Sequence, residues 1–478
     1  MNNLNYKDWF IVSFAVGILL LIAYITGKKQ EDTNDFFIAG RKIPVWLATL
    51  SFVATEISAM TIVGVPSIGF SENWQYLQFF IGSAIARIFI GYFFIPYFYK
   101  YFCVTIYEFL GHRFGNITQY SASVFFFITR LFASGVRLYA ASLAVSVLMG
   151  WPLLNTILVF SVISISFIAF GGIKAVIWTG LWETLSFYIA GIFIFVYIFN
   201  STHLSFLDFW RMASEDHKIS IINFGLNFHD PNIFLIAILN GIFGSMASFG
   251  TDQELMQRLL TLKTREESRK SIIYTIFATI PLVVLYLSIG TGLYIFFKFN
   301  PNLNASEPDK ILSYFGVNFL PNGLKGLLLS AIILASIDSP LSSLSSSFVM
   351  DIYKPLSKEN NEKKLLLISR FSILIFGFIL ALIAYMCQHV EKMLWFAFKV
   401  NGLTAGSLLG VFLFGIFTSR KANKINAFSM VFSSIFCTVI MILSEMKIIS
   451  VGWSWFIIIG TVSTFSISYI FSQKEQSL

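Results

Sequence analysis

Apolar stretches of about twenty residues recur from one end of this chain to the other, separated by short polar runs. Each is long enough to cross the ~30 Å hydrocarbon layer of a bilayer as a helix. The pattern predicts thirteen spans, at 8–27, 44–70, 75–99, 118–149, 153–171, 175–199, 232–250, 272–297, 322–352, 365–387, 391–417, 425–444 and 451–471. The polar breaks inside two of them are the most informative feature. The run Ala335-Ser336-Ile337-Asp338-Ser339-Pro340-Leu341-Ser342-Ser343-Leu344-Ser345-Ser346-Ser347 puts hydroxyls and a carboxylate at membrane depth, and Ala54-Thr55-Glu56-Ile57-Ser58-Ala59-Met60-Thr61 does the same near the start. Polar groups there are costly unless they meet an ion, a solute or each other. Two such breaks point to a buried small-solute site.

A third anomaly is Asn240–Gly250, with three glycines and two serines in eleven residues. Each glycine costs about 1 kcal/mol in a helix interior, so a break is expected here. Small-residue helix packing also accounts for the glycines, though not for Glu56. The interrupted segments open two blocks of five spans, 44–199 and 232–417, as in inverted-repeat transporters that bind solute at the breaks. The remaining parts are 1–43 (N-terminus, first helix and loop), the polar connection 200–231, and 418–478 (two last helices and tail).

Composition agrees with this pattern. The chain is 56% hydrophobic and 12% charged, which excludes a soluble core of this size. The first apolar stretch lacks a small-residue cleavage site and reads as a retained helix. Cys103, Cys387 and Cys437 offer neither a disulfide framework nor metal-ligand spacing. No nucleophile elbow, phosphate loop or histidine cluster supports an enzyme. The net charge of +8 follows topology rather than a nucleic-acid partner: alternate loops hold 21 Lys and Arg on one side and 8 on the other. The richer side is expected to be cytoplasmic, which places the N-terminus outside and the C-terminus inside a multi-pass cell-membrane protein. Loop 251–271 falls on the basic side.

Arg87, Arg130, Arg137, Lys399, Glu56, Glu183 and Asp338 fall within spans. A charge at helix centre costs about 2.5–3.5 kcal/mol on insertion scales, so these groups must face one another, water or ligand. Internal ion pairing is most expected of Arg87 and Arg130.

Four short motifs add a resemblance. Phe36-Phe37-Ile38-Ala39-Gly40-Arg41, Gly171-Gly172-Ile173-Lys174-Ala175-Val176-Ile177-Trp178-Thr179, Thr251-Asp252-Gln253-Glu254-Leu255-Met256-Gln257-Arg258 and Met350-Asp351-Ile352-Tyr353 occur in this order on helix ends. Together they resemble the sodium:solute symporters with the LeuT-type fold. The resemblance implies an all-α integral membrane protein whose first and sixth core helices are broken. It implies sodium-coupled import of a small polar solute by alternating access, one helix group rocking against another, with Na⁺ as coupling ion and no other cofactor. Proton coupling on the same fold, or a membrane solute sensor, are the competing readings.

The resemblance implies a sodium site at Ala335 and Ser336 with backbone oxygens from Ala54, Ile57 and Ile332. The family usually has two adjacent hydroxyls where Ala335 and Ser336 stand. Its motif also ends in Asp after Trp-Thr, whereas Gly180 stands here. A carboxylate transferred to Asp338, with glycine opposite making room, predicts a second cation or proton site at Asp338, Ser339 and Glu183. Solute-binding candidates between the breaks are Glu56, Ser58, Thr61, Arg137 and Lys399. Sialic-acid-transporting relatives place an arginine about one turn earlier, where Ala133 stands, so the resemblance does not support that particular substrate. Phe398 takes the place of a sugar-contacting Gln. Two cations and a carboxylate suit an organic acid, an acidic sugar or a zwitterion.

Overall fold

The computed structural model describes residues 4–27, 30–225, 232–303, 307–337, 340–388, 393–452 and 455–473. All regular structure among them is helical. In chain order the helices are α1 (Tyr6–Thr26), α2 (Thr33–Ile38), α3 (Val45–Glu56), α4 (Ala59–Ser71), α5 (Leu77–Phe89), α6 (Ile95–Lys100), α7 (Ile106–Phe114), α8 (Asn116–Met149), α9 (Leu153–Ser201), α10 (Phe206–Glu215) and α11 (Phe234–Ser245). They continue as α12 (Gln253–Leu260), α13 (Arg265–Phe299), α14 (Ile311–Asn318), α15 (Leu324–Ile337), α16 (Leu341–Ser347), α17 (Lys354–Ser357), α18 (Glu362–Cys387), α19 (Met393–Phe417), α20 (Asn423–Glu445) and α21 (Trp455–Phe471). Among the described residues, eight helices, some of them runs of these elements, are long and apolar enough to span a bilayer, and up to ten if each of two sharply bent pairs counts as one span. Outward-facing Phe10, Phe14, Ile85, Ile192, Phe371, Phe378 and Phe428 are exposed, as a lipid-facing belt requires.

Helix α9 consists of two helical stretches, one on either side of the non-helical Gly172 (φ 54°, ψ −154°), which falls at the boundary expected between segments 153–171 and 175–199. A Cβ there would stand 2.7 Å from the Phe36 carbonyl, so glycine serves both the turn and the close approach of α2. Two expectations change. First, the glycine run does not break its helix. Residues 234–250 stay helical, with a π-helical turn at Met246–Gly250, and the break follows at Thr251-Asp252, where α12 departs at 64°. Gly241 instead meets Gly82 of α5 backbone to backbone. Second, residues 251–260 are not part of an exposed loop, because every residue of α12 is buried.

Two packed groups emerge. One contains α3, α4, α5, α11, α12 and α13. Close glycine contacts join its members, Gly69 with Gly290 and Gly82 with Gly241. The other contains α8, the first half of α9, α15, α16 and α18. Helix α1 lies outside both and is fixed by Asp8, whose Oδ1 accepts the Gly323 and Gly326 amides at the start of α15 (2.7 and 2.9 Å). A carboxylate at a helix N-terminus satisfies donors that have no intrahelical partner.

Candidate functional site

The first core helix breaks because α3 ends at Glu56 and α4 begins at Ala59, with Ile57 (ψ 98°) and Ser58 (ψ 170°) extended between them. Ser58 lies beyond the end of α3, so its amide is not in position to close on the Ala54 carbonyl, and the Thr61 amide bonds the Ser58 carbonyl (2.9 Å) instead of that of Ile57. The carbonyls of Ala54 and Ile57 therefore lose their helical donors, the kind of oxygen a hard cation accepts. On α15, Ser336 donates to the Ile332 carbonyl (2.5 Å), so two of the expected ligands bond each other and Ala335 contributes only its backbone. Residues 338 and 339 lie outside the described residues, and with them most of the expected second cation site. Glu183 is fully buried on α9. The glycine expected to make room for Asp338 has another role: a Cβ on Gly180 would lie 2.8 Å from the Ser51 hydroxyl, so Gly180 admits α3 against α9.

Between the two breaks lies a cavity of about 210 Å³. Its wall includes Thr55 and Glu56 from the first break, Thr251, Asp252 and Glu254 from the second, Arg130, Ala133 and Arg137 from α8, and Ala405 and Leu408 from α19. Of the expected solute residues, Glu56 and Arg137 line it. Ser58 and Thr61 are absent from its lining, and their hydroxyls stand 3.5 Å apart. Lys399 lies on α19, but its side chain is outside the described residues.

The buried charges sort into two clusters. Arg87 of α5 pairs with Glu56, donates to Thr275 (2.5 Å), and faces the Phe249 ring (4.8 Å to the centroid), while Thr279 donates to the other Glu56 oxygen (2.8 Å). All these partners belong to the first helix group. Arg130 of α8 instead pairs with both Asp252 and Glu254 across the two groups. Internal pairing of both arginines matches the sequence expectation. The acidic partners of Arg130 did not stand out in sequence, because residues 251–260 read as loop; their place within the Thr-Asp-Gln motif was the available signal.

Below the cavity, the same motif seals one end of the molecule. Gln253 accepts from the Ile106 amide (3.0 Å) and donates to the Val104 carbonyl (3.1 Å), and Gln257 donates to the Phe37 carbonyl (2.8 Å). Asp351 accepts from Gln119 (3.0 Å), Ser347 (2.7 Å) and Thr105. Gln253, Gln257 and Asp351 of the quoted motifs thus serve as polar fasteners between helix ends.

Comparison with known proteins decides the family. The sodium:solute symporter family model matches residues 36–433. The chain belongs to the sodium:solute symporter family. It is 27% identical to the sodium/sialic acid symporter NanT of Aliivibrio fischeri, over 96% of this chain and 92% of that one. It is 28% identical to the sodium/glucose cotransporter of Vibrio parahaemolyticus, over 86% and 80%. The structure of a Na⁺-coupled sialic acid symporter in a substrate-bound outward-open state superposes with a TM-score of 0.87 at 23% identity, covering 98% of this chain and 100% of that chain. The fold is therefore LeuT-type, and this symporter is a sodium-coupled, multi-pass membrane transporter of a small solute, working by alternating access.

Proposed function

We propose that this symporter imports a small organic anion together with sodium, and that Arg137 receives the anionic group. One observation carries the reading. Arg87 and Arg130 are each neutralised by carboxylates, whereas Arg137 lines the cavity and has no ion pair or hydrogen bond among the described residues. A planar guanidinium suits a carboxylate, which it holds through two parallel hydrogen bonds. The NanT relative is named for sialic acid, itself an acid. A cotransporter named for glucose is comparably similar, so similarity alone leaves the solute open, and the anionic reading is supported by Arg137 in the cavity wall.

Sodium occupies the first break, held by the carbonyls of Ala54, Ile57 and Ile332 with Ala335 and Ser336 alongside. The side rich in Lys and Arg faces the cytoplasm, and the repeats are 44–199 and 232–417. Asp338, Ser339 and Glu183 form the candidate second cation site, with Ser58, Thr61 and Lys399 flanking the solute path. The test is uptake into proteoliposomes of labelled N-acetylneuraminate, lactate and glucose under an inward sodium gradient. Sodium-dependent uptake confined to the acids, reduced at least tenfold in Arg137→Gln, is the expected result. Uptake of glucose alone, or an Arg137→Gln variant with normal acid uptake, overturns the reading.

A further inference from the structure

We propose that Arg130, Asp252 and Glu254 form a lock between the two helix groups, and that the anion carried by the transporter is its key. The inference rests on the organic-anion reading above and extends it from binding to the conformational step.

Arg130 sits on α8, in the group that includes α15 and α18, while Asp252 and Glu254 sit on the far side of the second break, in the group that includes α3 and α13. All three side chains are at least nine-tenths buried and line the central cavity. Directly beyond them lie Tyr107, whose hydroxyl donates to the Thr251 carbonyl (3.1 Å), and the Gln253 fastener. On the proposed topology this is the cytoplasmic floor of the cavity. Rocking one group against the other must separate Arg130 from its two carboxylates.

The two sides are not equally provided for that separation. Arg258 lies one turn after Glu254 on α12, donates to the Glu254 backbone carbonyl (2.5 Å) and to Ser51 (3.2 Å), and travels with the carboxylates. It supplies a cation to its own group after the lock parts. On the α8 side the nearest charged neighbour along the helix face is Arg137, two turns on and of the same sign. Arg130 would be left buried without a counter-charge, an arrangement proteins avoid. A solute carboxylate lodged against α8 between Arg137 and Arg130 removes that obstacle, because it adds to the α8 side one negative charge that the two arginines share. The empty, sodium-loaded carrier stays closed inward and the anion-loaded carrier opens. Once the solute leaves, Arg130 is drawn back to Asp252 and Glu254, which resets the gate. Asp252 belongs to the quoted family motif, whereas Glu254 occupies one of the positions that motif leaves unspecified.

Cys103 provides a native reporter. It is fully buried beside the Gln253 fastener, its carbonyl held by Arg41 (2.9 Å). In full-length protein carrying Cys387→Ser and Cys437→Ser, the rate of N-ethylmaleimide labelling of Cys103 reads opening of this end. In sodium alone labelling should be slow, and adding N-acetylneuraminate or lactate should raise it at least fivefold. Glu254→Gln should label at the fast rate with no organic anion present. Arg130→Lys, which keeps the charge but loses the two-pronged geometry, should give an intermediate rate and guards against a misfolded Glu254→Gln. If an anion accelerates the parent while both variants match its slow anion-free rate, the lock is wrong and the organic-anion reading stands. If the variants label fast but no organic anion accelerates the parent, the lock stands without its key and the anion reading fails.

Discussion

Two carboxyl groups show how much one residue's surroundings decide. Glu56 is a buried acid whose ion pair with Arg87 ties α3 to α5, with Thr279 adding α13. Removing one member of such a pair strands the other, at a cost of about 3–5 kcal/mol, while replacing both by apolar groups is often neutral. Glu56→Gln should therefore lower the melting temperature in detergent by several degrees, and Glu56→Gln combined with Arg87→Met should recover most of the loss. Glu108 lies on α7, outside the spanning segments. Burial and the nearby Asp351 carboxylate push its carboxyl up to about 8, against the opposing pull of the Val104 and Thr105 amides. A carboxyl raised on folding binds its proton more tightly in the native state, so the stability it contributes is full below about 4.5 and disappears as the pH rises through about 8. Melting temperature should fall between pH 5 and pH 8, and Glu108→Gln should flatten that slope. An unchanged slope in the variant would assign the pH dependence elsewhere.

At the scale of elements, the sequence revealed the break marked by polar residues and misplaced the one read from glycines. Thr55-Glu56 interrupts an apolar run, and α3 ends there with Glu56 turned inward to Arg87. The glycines of 241–250 looked like a second interruption, but Gly241 is there because a Cβ would stand 2.3 Å from the Phe79 carbonyl of the neighbouring helix. Glycine for close packing and glycine for a break read alike in one dimension; only the partner helix distinguishes them. By the same token Asp252 and Glu254 were hidden among the residues of a supposed basic loop, although Arg130 was recognised as needing a partner. Gly241→Ala should destabilise the protein by about 1–3 kcal/mol through overpacking. Gly64→Ala, with open space around the added carbon, should be neutral or stabilising by up to about 1 kcal/mol. Equal melting temperatures for the two variants would contradict the assignment.

For the whole molecule, the hydropathy pattern was sufficient to define a membrane-embedded helical protein, since helices are among the few structures that satisfy their own backbone within lipid; the transporter reading needed the polar breaks and the motifs as well. The folding of those helices into two groups around a charged cavity depends on long-range pairing that no local window contains. Sodium is the ligand expected to bind the folded whole. A ligand at one hundred times its dissociation constant stabilises by about 2.7 kcal/mol, so NaCl should raise the melting temperature while KCl and choline chloride leave it unchanged. Ala335→Ser, which adds a hydroxyl beside Ser336, should shift that titration to lower sodium. A sodium response equal to that of potassium would place the coupling ion elsewhere.

The bond from Asp8 to the start of α15 fixes the opening helix of the chain to the group that contains α8 and α18. A dye attached near Asn5 would thus share that group's frame of reference. Paired with a second dye at Lys263, beyond the end of α12, it would form a ruler whose length changes only as one half of the carrier turns against the other.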